Sequence, residues 1–236
     1  MLKLYKNISY LFIALLALIF LGFYKTYFGL FPSFNGLPAM AHLHATAFLL
    51  WFALLIAQPV LIKKKKYKIH RLLGKLSYFL VPIIVFTIIG MTRFEYYRDI
   101  KTNTREDVLS GMLQSYLDLS FFVGYYIIAM INKKNLSLHV SYIIASSLVL
   151  LGLGLGRLIA ELFHSFAVTV VVTFGSMYLI LIALMIIEKR RFNRSIFKSP
   201  YLLILGLFIF EHILMFTVDT SVAWQWIADK IATHLF

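Results

Sequence analysis

The sequence predicts an all-α fold: a polytopic membrane helix bundle of about seven transmembrane helices. Three observations carry this. Of the 236 residues, 61% are hydrophobic and only 14% charged, with a mean hydropathy of +0.85. A soluble domain would be about half apolar and about a quarter charged. The apolar residues gather in runs close to the roughly 20 needed to cross about 30 Å of hydrocarbon. Lysine and arginine collect at alternate connections, the pattern that orients a multi-pass chain. Cysteine is absent, which excludes disulfides, thiolate metal sites and cysteine nucleophiles.

The first run, at about 9–28, follows MLKLYKN and has the lysine-then-apolar form of a signal peptide. No small-x-small cleavage site follows it, so it is expected to stay as an uncleaved first helix. Further spans are expected at about 41–62, 73–91, 109–131, 138–156, 166–187 and 200–218. The third and seventh are short for a crossing. The tail VAWQWIADKIATHLF puts Trp224, Ile227, Ile231 and Leu235 on one helical face. It reads as an amphipathic helix on the outer surface, with Trp224 and Trp226 at headgroup level. No internal repeat or low-complexity linker interrupts the chain, so residues 1–236 are expected to form a single domain.

Orientation follows from the basic residues. With the N-terminus inside, the inner face collects 16 of the 23 Lys and Arg side chains. They are Lys3 and Lys6, the hairpin from Lys63 to Lys75, Lys133 and Lys134, and the stretch from Lys189 to Lys198. Of the ten acidic residues only Glu188 falls on that side. The net charge of +13 is then explained by topology and by anionic lipid at the cytoplasmic face, and no nucleic-acid partner is expected.

Polar groups at membrane depth are costly and usually face the bundle interior. On the second helix His44, Trp51 and Gln58 stand seven apart and line one face, drifting about 20° per heptad. On the fourth, Gln114 and Asp118 are one turn apart, with Gly111 and Tyr125 continuing the stripe. On the fifth, Arg157 and Glu161 have the spacing of an intrahelical ion pair. The seventh carries Glu211-His212, and His164 lies on a nearby loop. Asp118 should lie roughly 15 Å below the outer end of its helix and His212 roughly 10 Å below the end of its own. The outer half thus gathers a His, Asp, Glu and Arg site, while His70, Arg71 and His139 mark the inner face. The glycines of GLGLG at 152–156 lie in a helix and follow no strand, so they read as close helix packing and not as a phosphate loop.

The run His44, Trp51, Gln58, His70, Arg71 and Gly74 resembles a signature of uncharacterised bacterial seven-helix membrane proteins. HVSYIIASSLVLLGLGLGR is similar to their later His-to-Arg segment. The likeness covers about a third of the chain. It implies a multi-pass protein of a bacterial inner membrane and brings no activity with it. The paired histidines of two-haem membrane cytochromes are not present, nor is the H-x-x-x-H of seven-helix zinc amidohydrolases, nor a lysine on helix seven for retinal.

Several functions remain open. Imidazole and carboxylate suit a transition metal or haem once cysteine is absent, with redox or hydrolytic chemistry to follow. His44 and His212 would be the cofactor ligands, and His44, Asp118 and His212 the metal set. Asp118 or Glu211 would act as base and Arg157 would stabilise an anion. Trp51, Gln58, Gln114, Glu161 and His164 would complete the polar site. Alternatively, Asp118 and the histidines bind a proton or cation in a transporter or sensor, or the polar groups only hold helices together in an assembly factor. Whether the chain is an enzyme, which small molecule it takes and its oligomeric state have no sequence signal.

Overall fold

The structure, a computed structural model, describes residues 7–236; the predicted basic positions Lys3 and Lys6 lie outside them. The described residues are all-helical, with eight α-helices: α1 (Ile8–Gly22), α2 (Ala39–Lys63), α3 (Tyr67–Asp99), α4 (Arg105–Ile131), α5 (Leu136–Phe163), α6 (Phe166–Phe192), α7 (Pro200–Thr217) and α8 (Val222–His234). Short 3-10 turns stand at Phe28–Leu30 and Ile196–Lys198.

Six helices, α2 to α7, are long and apolar enough to cross a membrane, as a multi-pass membrane protein requires. The expected first span differs. The described helix α1 has 15 residues and ends at Gly22, where the chain enters turns and the 3-10 segment that reach residue 36. At 1.5 Å per residue that is about 22 Å, short of the hydrocarbon thickness. The third span is much longer than its apolar run. Helix α3 has 33 residues, so its length near 50 Å carries Glu95 and Asp99 past the apolar zone.

Local sequence explains where helices start and stop. The side chains of Thr104, Asn135, Ser165 and Ser221 each accept a backbone N–H three residues on, at the start of α4, α5, α6 and α8. Pro200 opens α7 at the position where a missing N–H costs nothing. His164 and Asn193 end α5 and α6 in the left-handed conformation, with φ near 48°.

Helix α5 is the centre of the bundle. It packs on α1, α4, α6 and α7, and 61% of its most apolar window is buried, against 22–33% for the other five. The rim of the bundle is the reverse of a soluble protein, with Phe79, Leu179 and Val171 each more than 65% exposed. Sequential helices pack in pairs, so their connections alternate between two ends. One end carries Lys63 to Lys66, Lys133, Lys134 and Lys189 to Arg194; the other carries Asp99, Glu106, Asp107 and Asp229. We call these the basic and the acidic end.

The glycines of α5 act where α1 crosses it. A Cβ on Gly154 would stand 2.6 Å from the Cα of Ile19, and one on Gly22 would stand 1.9 Å from the carbonyl oxygen of Gly154. Only glycine allows the two backbones this approach.

Helix α8 sits at the acidic end against α4, through a face that keeps Trp224 and Ile231 of the predicted stripe and turns toward Ala228 and Ala232. Trp224, Ala228 and Ala232 are buried, while Ile227 and Leu235 are 44% and 62% exposed. Trp224 is held between the two helices, where its indole N–H donates to the Leu109 carbonyl at 2.8 Å. Arg105 joins the two helices again by donating to Asp229 at 2.5 and 3.0 Å. Trp226, 64% exposed, faces away.

Candidate functional site

Helix α4 brings Gln114, Asp118 and Tyr125 down one stripe, and α7 brings Glu211 against it. Asp118 and Glu211 meet side chain to side chain, with Gln114 beside the Asp118 carboxyl. Glu211 is only 1% exposed. Among the described residues no donor faces either oxygen of Glu211 or Oδ2 of Asp118. The contact becomes a hydrogen bond only when one of the two carries a proton. Two ionised carboxylates side by side in a low-dielectric interior would repel without compensation. Tyr125, 2% exposed, lies within the field of Glu211, and its hydroxyl also has no partner. Tyr142 of α5 packs its ring 6.0 Å from that of Tyr125.

The neighbour of Glu211 points elsewhere. About 100° round the helix, His212 faces α6. There its ring stacks on Phe174 at 3.5 Å with planes 7° apart, and Nδ1 lies 2.5 Å from the Tyr178 hydroxyl. Glu211 instead meets α4, and the group it meets there is an acid.

His44 belongs to a different environment. Its Nδ1 is 3.2 Å from Thr87 Oγ1, and that hydroxyl donates to the Ile84 carbonyl at 2.8 Å. Thr87 has a single proton, so it accepts from His44, which fixes the proton on Nδ1 and leaves the lone pair on Nε2. Arg157 lies within electrostatic range of this ring. The three side chains expected to form one metal set, His44, Asp118 and His212, therefore each have separate partners. Helix α2 packs chiefly on α3 and α1, and α7 chiefly on α6, α5 and α4. Among the described residues no group of three or more His, Asp or Glu side chains is placed to hold a metal ion.

The expected Arg157–Glu161 pair is not formed. Arg157 lies 3.9 Å from Glu95 of α3 and covers the Phe23 ring at 4.7 Å, while Glu161 pairs with Lys25. With arginine preceding glutamate along the helix, the intrahelical pair opposes the macrodipole and is the weaker arrangement. His164 is exposed at the end of α5.

Toward the basic end, the signature residues of α2 and α3 do come together. His70 lies near the Gln58 backbone, and the Gln58 side-chain amide lies 3.7 Å from where a Gly74 Cβ would be. Ser77 donates to the Gly74 carbonyl at 2.6 Å and lies 2.7 Å from the Tyr126 hydroxyl, whose ring packs on Trp51. Trp51 Nε1, Gln58 Oε1 and His70 Nδ1 are buried without partners. His139 donates to the Ala129 carbonyl at 2.8 Å, and Arg71 is exposed.

One buried acid was missed as a site residue. Glu188, 2% exposed, accepts from Ser199 at 2.7 Å and from Arg194 at 3.2 Å, and Arg194 also donates to Ser137 at 2.7 Å. It ties the ends of α5, α6 and α7. Its signal was visible: a lone acid among the basic residues of the last turn needs a partner.

Comparison of the chain with family models, with curated proteins and with solved structures gave no match. Function has to be argued from the site.

Proposed function

We propose that this is a proton-binding membrane protein, a proton-coupled carrier or sensor, in which Asp118 and Glu211 share one proton. The observation that carries the reading is the contact of two carboxyls in the helix bundle, with no basic side chain among the described residues against them. Asp118 is 13 residues into α4, about 20 Å along a helix of about 40 Å. A proton held there between two acids is bound by geometry and released when either carboxyl gains a better partner, such as a cation or a substrate amine. Gln114 would orient Asp118, and Tyr125 would supply a hydroxyl to whichever acid is ionised.

Metal or haem binding through His44 and His212 is the second reading. Its support is the lone pair left on His44 Nε2. It asks more of the protein, since both histidines would have to be joined across helices that are not principal neighbours. We further propose that the basic end faces the cytoplasm and its anionic lipid, as the distribution of lysine and arginine favours. By the signature in α2 and α3 that membrane would be the inner membrane of a bacterium.

Infrared difference spectra of the purified protein test the first reading. A protonated carboxyl band is expected, and Asp118→Asn and Glu211→Gln should each shift or remove it, since the remaining acid loses the carboxyl that shared its proton. A band unmoved in both variants would overturn the shared proton. An absorption spectrum with a Soret band, or a bound transition metal lost in His44→Ala, would favour the second reading instead.

A further inference from the structure

A cavity of about 220 Å³ opens at the acidic end between the last turns of α3 and the first turns of α4. Its walls include Thr92, Glu95 and Asp99 from α3, and Gly111 and Ser115 from α4. The space is large and polar enough to hold several water molecules. Its acids do not make it a cation trap. Glu95 faces Arg157 at 3.9 Å, Asp99 accepts from Arg98 at 2.6 and 2.9 Å, and Asp107 accepts from Thr104 at 2.6 Å.

What sets the cavity apart is where it points. Gly111, Ser115 and Asp118 follow the four-then-three spacing of one helical face. Ser115 lies on the cavity wall, and Asp118 is three residues deeper, about 4.5 Å along the axis. Beyond it stands Glu211, 1% exposed and with both oxygens lacking a donor. Gly111 keeps the upper part open: a Cβ there would meet nothing within 4 Å.

We infer that this cavity is the hydrated route by which protons from the acidic end reach the Asp118–Glu211 pair. The inference rests on the shared-proton reading and adds its access. Water in the cavity exchanges a proton with the pair past Ser115, and the glycine at 111 is what leaves room for that water. The opposite face of α4 offers an internal control. Gly124 also has nothing within 4 Å of its Cβ position, and it lies about 140° round the helix from Gly111.

The test is the rate at which the carboxyl band moves when the reconstituted protein is mixed with D2O. The wild type and Gly124→Phe are expected to exchange alike. Gly111→Phe, and the smaller plug Gly111→Leu, should slow exchange by about tenfold or more, as a raised barrier to water requires. Equal rates in the wild type and both plugged variants would overturn the route and leave the proton pair standing. If no band is present that Asp118→Asn shifts or removes, the shared-proton reading itself fails, and the route falls with it.

Discussion

At the end of α6, Glu188 shows what a buried charge needs from its neighbours. Two serines and Arg194 satisfy it, and Arg194 is itself only 31% exposed. Removing one partner of such a pair strands the other, which costs more than the pair contributes. Arg194→Ala should therefore lower the thermal stability of the detergent-solubilised protein, by about 2 kcal/mol after allowing for the partial exposure of the arginine. Arg190→Ala, on an exposed neighbour, should change it by less than about 0.5 kcal/mol. Similar melting of the two variants would show that the clasp is not a stability element. Asp118 and Glu211 follow the same rule of partnership by a different route. Each was legible as an ionisable group too deep for water. That they would answer one another was not, because nothing in either segment records which helix lies opposite.

Helix packing turns on single atoms of space. Gly154 sits where α1 crosses α5, with its Cβ position 2.6 Å from the Ile19 backbone. Gly154→Leu must push the helices apart, and overpacking of this kind costs typically about 1–3 kcal/mol. Gly175→Ala, in open space on α6, should leave the melting temperature unchanged or raise it, since alanine favours helix by up to about 1 kcal/mol. A Gly154→Leu protein as stable as the wild type would refute the close crossing. Helix α8 gives a second contrast. Trp224 is buried and donates to Leu109, whereas Trp226 is exposed. Trp224→Ala should release α8 to protease cleavage, with a packing loss of about 3 kcal/mol, and Trp226→Ala should not. Equal cleavage of both would disprove the docking face. The heptad spacing of Trp224, Ile231 and their neighbours predicted an amphipathic helix correctly. The packed face keeps Trp224 and Ile231 and turns toward Ala228 and Ala232, small residues that carry little hydrophobic signal and let α8 lie close against α4.

For the whole molecule, the orientation proposal has a direct check. Asn103 lies in the turn between α3 and α4 at the acidic end, and it is exposed. In this cysteine-free chain, a cysteine placed there should react in intact cells with a thiol reagent that cannot cross the membrane. A cysteine at Lys65, in the turn between α2 and α3, should react only after the membrane is opened. The reverse pattern would invert the bundle, and the cavity between α3 and α4 would then open to the cytoplasm.

Hydrophobic length, helix caps and the placement of basic residues are properties of short segments, so the sequence by itself determined an apolar helical chain with alternating basic and acidic ends. It also marked the polar groups carried within the apolar helices: His44, Trp51, Gln58, Asp118, Glu211 and His212. The tertiary structure alone decided their partners. Whether Glu211 meets Asp118 or a cation, and whether His212 turns toward His44 or toward Tyr178, depends on the rotation and separation of helices far apart in the chain. Those are set by contacts such as Gly22 on Gly154, where an ångström of backbone approach chooses between arrangements that hydrophobicity treats as equal.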